Sequence, residues 1–478
     1  NANGTVKSIQ KISDTQGNFT GILDDFNYFG LSVSSIGDLD GDSITDIAVG
    51  AYGDDDGGTL RGAVWVLFLN INGTVKSFQK ISDTQGSFTG ILDDNDQFGR
   101  SVFSLGDLDG DNITDIVVGA PLDDDGGTDR GAVWILHLNS NGTVKSYQKI
   151  SDTQGNFSGI LDNSDNFGIS VTSLRDLNGD GITDIAVGAN GDDDGGLDRG
   201  AVWILFLDTN GTVKTYQKIS NTFGLFTGVL DNSDLFGVSV TSIGDLDGDS
   251  ITDIAVGAHA DDDGGINRGA VWILFLNADG TVKSHQKISN TQGNFTGILD
   301  NSDIFGHAVT SLGDLDGDSI TDIVVGAHGD DDAGTDMGAV WVLFLNDTGT
   351  VKVSRKISRT VGNFTGILDD SDNFGVSVAA IGDLDGDGLT DIAVGAHLDD
   401  DGGANRGAVW VLFLNINGTV KSHQKISDTQ GNFTGVLDND DNFGISVTPI
   451  GDLDGDGITD IAAGAYLDND GLAGTGFN

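Results

Sequence analysis

Cysteine is absent from the 478 residues. That excludes disulfides and thiolate metal sites, and it leaves the redox compartment unmarked. Basic residues are scarce: 23 Lys and Arg stand against 74 acidic residues, for a net charge of −51. Phosphate contacts need a basic patch, so nucleic acid is excluded as a partner and anionic lipid surfaces are disfavoured, while cations are the natural partners. No apolar run reaches the ~18 residues that suggest a transmembrane helix, so no membrane span is expected. The opening residues "NANGTVKS" contain neither an initiator Met nor a signal peptide, as in a processed or partial chain. Proline occurs only twice, and no 3.6-residue periodicity stands out, which argues against a helical solenoid. What remains is 37% hydrophobic residues, enough for a core, and repetition.

The stretch "GDLDGDSITDIAVGA" begins at Gly37 and returns in closely related form six more times. Its first aspartates fall at 38, 107, 176, 245, 314, 383 and 452, a constant step of 69 residues. A fixed long period signals a solenoid, a propeller or an array. Each unit reads as four strands, which in the first copy are 29–39, 44–51, 61–70 and 73–82. The third, "RGAVWVLFLN", lacks alternation, as a strand buried on both faces does. The fourth carries Lys76 and Lys80, the charges that protect an exposed sheet edge. The expected fold is all-β: a seven-bladed β-propeller of four-stranded antiparallel blades in 69-residue repeats, strands one to four running from inside to outside. Residues 1–478 form one domain, with an N-terminal strand over 1–12 completing the last blade. In the last repeat "TGFN" stands at 475–478, where "RGAVWVLFLN" should begin. The open third-strand slot would be filled by "GLAGTGFN" as a poor substitute, by a continuation of the chain, or by a strand from a neighbouring molecule that links propellers.

The acidic loop has metal-ligand spacing. Counted from its first aspartate, carboxylates fall at positions 1, 3, 5 and 9, a backbone carbonyl is available at 7, and Gly41 permits the sharp turn. The first set is Asp38, Asp40, Asp42, Ile44 and Asp46, and the second is Asp107, Asp109, Asp111, Ile113 and Asp115. The third is Asp176, Asn178, Asp180, Ile182 and Asp184; the fourth is Asp245, Asp247, Asp249, Ile251 and Asp253. The fifth is Asp314, Asp316, Asp318, Ile320 and Asp322; the sixth is Asp383, Asp385, Asp387, Leu389 and Asp391; the seventh is Asp452, Asp454, Asp456, Ile458 and Asp460. Odd-position hard oxygens wrap Ca²⁺ in the same way at the start of an EF-hand loop, although here no Glu occupies position 12 and a strand follows. An Asp- and Gly-rich turn is ordinarily just solvated. Four carboxylates within nine residues, however, repel unless a cation sits among them. About seven Ca²⁺ sites are therefore expected. The third should be the weakest, since Asn178 removes a charge and Arg175 adds an opposing one.

Each unit also carries a Phe-Gly pair before the loop (Phe29, Phe98, Phe167, Phe236, Phe305, Phe374 and Phe443, each followed by Gly) and a Gly-Ala pair after it. This pattern resembles the FG-GAP repeat of integrin alpha-subunit heads and related bacterial surface proteins. The resemblance implies a seven-bladed propeller with calcium in the hairpin loops between strands one and two. The Pro of that motif survives only as Pro121; the other copies have Tyr52, Asn190, His259, His328, His397 and Tyr466. No inserted adhesion domain interrupts the units, so integrin-type ligand recognition is not implied.

A second acidic cluster, "DDDGG" from Asp54 and its equivalents, is expected as a solvated rim at the end opposite the calcium loops, with a weaker cation site as the alternative. The Trp of "AVW" (65, 134, 203, 272, 341 and 410) reads as core packing. The seven histidines read as surface or turn residues, because none pairs at a local metal-ligand spacing. Sequons begin at Asn3, Asn18, Asn72, Asn112, Asn141, Asn156, Asn210, Asn294, Asn346, Asn363, Asn417 and Asn432, making these the candidate glycosylation sites of an extracellular glycoprotein. With near-identical units and no singled-out nucleophile, acid or base, the expected function is a noncatalytic, extracellular, calcium-binding structural or adhesive scaffold. Its expected partners are calcium and either itself, in a surface layer or filament, or another extracellular protein. The alternatives are a lectin-like, glycan-binding propeller and, behind it, a calcium-dependent hydrolase.

Overall fold

The computed structural model describes residues 1–470. Its first unit is a meander of Phe29–Gly37, Asp46–Ala51, Ala63–Leu69 and Val75–Ile81, paired in that order. The pairing is antiparallel throughout, with Val49 opposite Trp65 and Val66 opposite Gln79. The third strand is buried along its whole length, because neighbouring units cover both of its faces. Strand one is half-buried, and strand four is buried at its ends and open to solvent between them, as their places at the two sides of the sheet allow.

The units close into a ring. Successive first strands pack against one another all the way round, including the seventh against the first. One hydrogen bond recurs at six of the seven steps, Ala308 standing in the serine's place at the other: Ser32 Oγ donates to Gly99 O at 2.9 Å, and at the closure Ser446 Oγ donates to Gly30 O at 2.7 Å. The Phe-Gly and Gly-Ala pairs exist for this splice. Gly168 adopts φ +99°, and a Cβ on Gly119 would stand 2.1 Å from the Gly168 carbonyl oxygen, so neither place admits a side chain. Phe98, fully buried, stacks on Phe88 at 5.6 Å and meets Trp134 edge-on at 6.2 Å. The six tryptophans are core residues, all at most 4% exposed.

The blade count departs from the expected seven. Among the described residues six four-stranded blades are present, and the seventh repeat contributes a two-stranded sheet, Val447–Gly451 with Asp460–Ala463. The place where its third strand should begin, at 475, lies outside the described residues. Residues 1–12, expected as the outer strand of this blade, form no strand. They are held instead by a Val6 N–H to Gly431 O hydrogen bond and by Lys7 and Lys11. The second strand of this unit is only half-buried, where its six counterparts are buried throughout. A cavity of about 1050 Å³ lies beside it, lined by apolar residues from unit six (Val411, Ile426), unit one (Val49, Leu67) and the N-terminal segment (Val6, Ile9).

Candidate functional site: seven acidic hairpin loops

Each loop is closed by its own carboxylates. Asp38 accepts the N–H groups of Gly41, Asp42 and Ser43, and Asp42 accepts that of Ile44. Asp46, at position 9, is fully buried and clamps the hairpin to the sheet by accepting from Leu39 N–H at 2.9 Å and Leu69 N–H at 3.0 Å. Burial pushes the carboxyls of Asp46 and Asp391 up to about 6 and those of Asp184, Asp253 and Asp322 up to about 7.

The fold does gather the spaced residues. Carboxylate oxygens of Asp38, Asp40 and Asp42 lie within 4.8 Å of one another, as do those of Asp107, Asp109 and Asp111. In the fourth and fifth loops the group is formed by positions 1, 3 and 9: Asp245, Asp247 and Asp253, then Asp314, Asp316 and Asp322. The position-3 oxygens Oδ1 of Asp40, Asp247, Asp316 and Asp385 are buried and accept no hydrogen bond. Buried oxygens without donors are rare in native proteins, and a hard divalent cation suits such a set.

Sequence reasoning missed a cation already in place. Lys76 Nζ lies 2.6 Å from both Asp40 and Asp42, and Lys145, Lys283 and Lys421 repeat the contact at positions 3 and 5 of their own loops. Lys7, from the N-terminal segment, serves the seventh loop at Asp454 and Asp456. Repulsion among the carboxylates is thus partly relieved within the protein, and an incoming ion must compete with an exposed ammonium. Substituting Lys76→Met should tighten calcium binding at the first loop, measured by isothermal titration against the parent chain. Unchanged or weaker affinity would show that the lysine does not compete.

Two loops stand apart. In the third, Asn178 leaves Lys214 with only Asp180 of the loop, at 2.9 Å, and Arg175 is held at φ +58°. In the second, His137 replaces a phenylalanine found at five other units and places Nδ1 3.1 Å from Asp115 and 3.9 Å from Asp109. Burial alone would lower the pKa of this imidazole, but the bond to Asp115 and the charges of Asp115 and Asp109 hold it above the ordinary value. This corrects the expectation that all seven histidines sit at the surface or in turns, since His137 is 1% exposed.

The "DDDGG" cluster is not a solvated rim. Its first residue, such as Asp54 or Asp123, is 1% exposed and ion-paired to the lysine expected at a free edge: Lys80 to Asp54 at 2.7 Å and Lys149 to Asp123 at 2.6 Å. Lys80 is itself 5% exposed and lies 5.2 Å from the Trp65 ring centre, a cation–π contact under cover. The sequons also have a structural reason. In "NGT", Asn72 Oδ1 accepts from both Thr74 N–H and Thr74 Oγ, and Asp279 makes the same pair of bonds to Thr281 without being a sequon. In "NFT", Asn18 and Asn294 adopt φ 57° and 56°, a left-handed conformation that suits asparagine. Eleven of the twelve asparagines are exposed and Asn346 is half-buried.

The FG-GAP repeat family matches six segments of the chain: 29–67, 98–136, 167–205, 236–274, 305–343 and 374–412. Among curated proteins, the chain is similar to integrin alpha-11 of Homo sapiens, at 36% identity over 172 residues, 34% of this chain and 13% of that protein. It is similar to integrin alpha-PS2 of Drosophila melanogaster, at 30% over 271 residues, 56% of this chain and 18% of that protein. Integrin alpha-5 of Xenopus laevis matches at 35% over 250 residues, 50% of this chain and 20% of that protein. The chain therefore spans at most a fifth of the length of these relatives.

Proposed function

We propose, starting from the fact that the chain belongs to the FG-GAP repeat proteins, that it is a noncatalytic extracellular scaffold for adhesion whose hairpin loops are rigidified by calcium. The single observation that carries this is the recurrence of converging carboxylates, with a buried position-3 oxygen left unpartnered in four of the loops. Residues at positions 1, 3, 5 and 9, with the carbonyl at 7, would hold the ion, which would supply charge neutralisation and cross-link the hairpin. Weak sites of this kind fill where Ca²⁺ is near millimolar, which supports a location outside the cell. Among the described residues no helix is long and apolar enough to cross a membrane. Glycans on the exposed sequons fit the same location. The test is retention of the purified chain on surfaces coated with extracellular-matrix proteins, in calcium and in chelator. Equal retention, or none, in both would overturn the adhesive role.

Self-association is the second part of the proposal. Beside Asp460–Ala463 the six other units place a fully buried apolar strand, and the cavity there is lined by the same kinds of side chain. An extended segment of a neighbouring molecule would find both backbone partners and apolar cover in it. Sedimentation equilibrium should show concentration-dependent association that a synthetic peptide spanning 406–415 suppresses. A monomer at every concentration, indifferent to the peptide, would sink this part.

The third loop should empty first as calcium falls. Structures determined across a calcium series should lose ion density at Asp176, Asn178 and Asp180 before any other loop, and equal occupancy at limiting calcium would contradict the charge argument.

A further inference from the structure

Three of the histidines share a place in the repeat. His259, His328 and His397 each follow the second strand of their unit, 69 residues apart, at the strand end remote from the acidic loops. First strands pack around the ring, so this position recurs about a common axis. The equivalents in units one and seven, Tyr52 and Tyr466, both lie against Tyr28, at 4.7 and 5.7 Å between ring centres. In units four to six imidazoles take this place, and a fourth, His307, enters beside the first strand of unit five. Its ring centre is 4.5 Å from that of His328 and 5.4 Å from that of His259.

The Nδ1 atoms of His259, His307, His328 and His397 are all buried, and none has a hydrogen-bond partner. One orphaned nitrogen is an irregularity, but four on neighbouring side chains call for a common explanation. No aspartate is among the causes that set the protonation of these four rings. Burial, and for all but His307 the charge of neighbouring imidazoles, pulls His259, His307 and His397 down to about 4 and His328 to about 3, while Arg100 opposes protonation of His307. The rings are thus neutral at physiological pH and keep a lone pair available, the state in which histidine binds metals.

From this cluster we infer that His259, His307 and His328, with His397 adjoining, form a binding site for one borderline first-row divalent ion of the Zn²⁺ class, separate from the calcium loops. Three imidazole nitrogens at ~2.0–2.1 Å from a tetrahedral ion place their ring centres about 5 Å apart, and the two separations from His307 bracket that spacing. Donor chemistry divides the two kinds of site: carboxylates and carbonyls suit Ca²⁺, whereas imidazole suits Zn, Cu and Ni. The net charge of −51 favours cation approach. Arg100 is the opposing charge, and its guanidinium lies over the Tyr52 ring at 5.2 Å.

The test is a titration of the full chain with Co²⁺ in saturating Ca²⁺, so that the acidic loops are filled, read by the visible absorption of nitrogen-ligated cobalt and followed by Zn²⁺ displacement. One equivalent should bind with a low-coordinate spectrum, and the double variant H307N/H328N should weaken it by about 100-fold or more. H285N/H423N, on the fourth strands, should leave it unchanged, and Arg100→Gln should tighten it. If the double variant misfolds by circular dichroism, His259→Asn alone should still weaken binding. Absence of a stoichiometric nitrogen-ligated species in the parent chain would overturn the assignment. So would binding that survives loss of these histidines or disappears only in His137→Asn.

Discussion

Stripping calcium with EGTA should lower the melting temperature of the chain by about 10 °C. With free calcium tenfold above each dissociation constant, linkage supplies roughly 1.4 kcal/mol per loop and on the order of 10 kcal/mol for seven. The melting entropy of a chain this long is about 1 kcal/mol per degree, which converts one figure into the other. The stabilisation should be unevenly distributed. The third loop, with Asn178, should contribute least, and in the second an ion would compete with the His137–Asp115 bond. Scanning calorimetry in calcium and in EGTA, with bound calcium counted by elemental analysis, makes the measurement. An unchanged transition in a chain that also carries no calcium would end the assignment of all seven loops.

Raising the pH from about 5 to about 9 should destabilise the ring through a separate set of carboxyls. Asp96 is 1% exposed beside Asp123, also 1% exposed, and Asp96 Oδ1 has no hydrogen-bond partner. Burial first, and then the charge of Asp123, pushes the Asp96 carboxyl up to about 8; Asp165, Asp234, Asp303 and Asp372 behave alike, and Asp441 reaches about 7. The first unit shows what these carboxyls are doing. There Asn27 takes the place of Asp96 and donates Nδ2–H to Asp54 at 2.9 Å, the bond a protonated aspartic acid would make to its neighbour.

A carboxyl whose folded pKa lies above its unfolded value keeps a proton that the unfolded chain has released. Its stabilisation is therefore complete below pH ~4 and is lost as pH rises to about 8, by at most ~1.4 kcal/mol per pH unit per site. Asp96→Asn should reduce that slope and stabilise the chain at pH 8 by on the order of 1–3 kcal/mol. Asn27→Asp should do the reverse. Urea unfolding across the pH range decides the matter, and identical slopes in parent, Asp96→Asn and Asn27→Asp chains would show that the pairs carry no shared proton.

The 69-residue period, the four-strand meander and the carboxylates at positions 1, 3 and 5 were legible because each is a local pattern repeated in register. What stayed hidden depends on contacts between distant parts of a unit or of the ring. Lys80 looks like an edge charge because its partners Asp54 and Asp56 are 26 and 24 residues upstream on a loop that folds back over it. Lys76 reaches Asp40 and Asp42 across the whole sheet in the same way. The histidine cluster did leave a signal, since the spacing 259, 328, 397 equals the repeat itself. Only a closed ring turns that spacing into proximity, and His307 joins from another register. The blade count failed because seven acidic loops do not make seven complete sheets. Among the described residues the sixth and last fully buried apolar third strand is Ala408–Leu414.

The loop lysines bear on how such a chain is made. A sequence with 74 acidic side chains has to form its hairpins before any mineral ion is at hand if it is synthesised where free calcium is low. On the proposed reading, Lys76 and its counterparts would act as placeholders that hold each loop in its final outline. Arrival in a calcium-rich medium would then evict an ammonium from every filled loop and turn it outward along the fourth strand. Maturation would redraw the rim of the disc, replacing self-neutralised loops by a circle of free amines available to whatever the protein meets next.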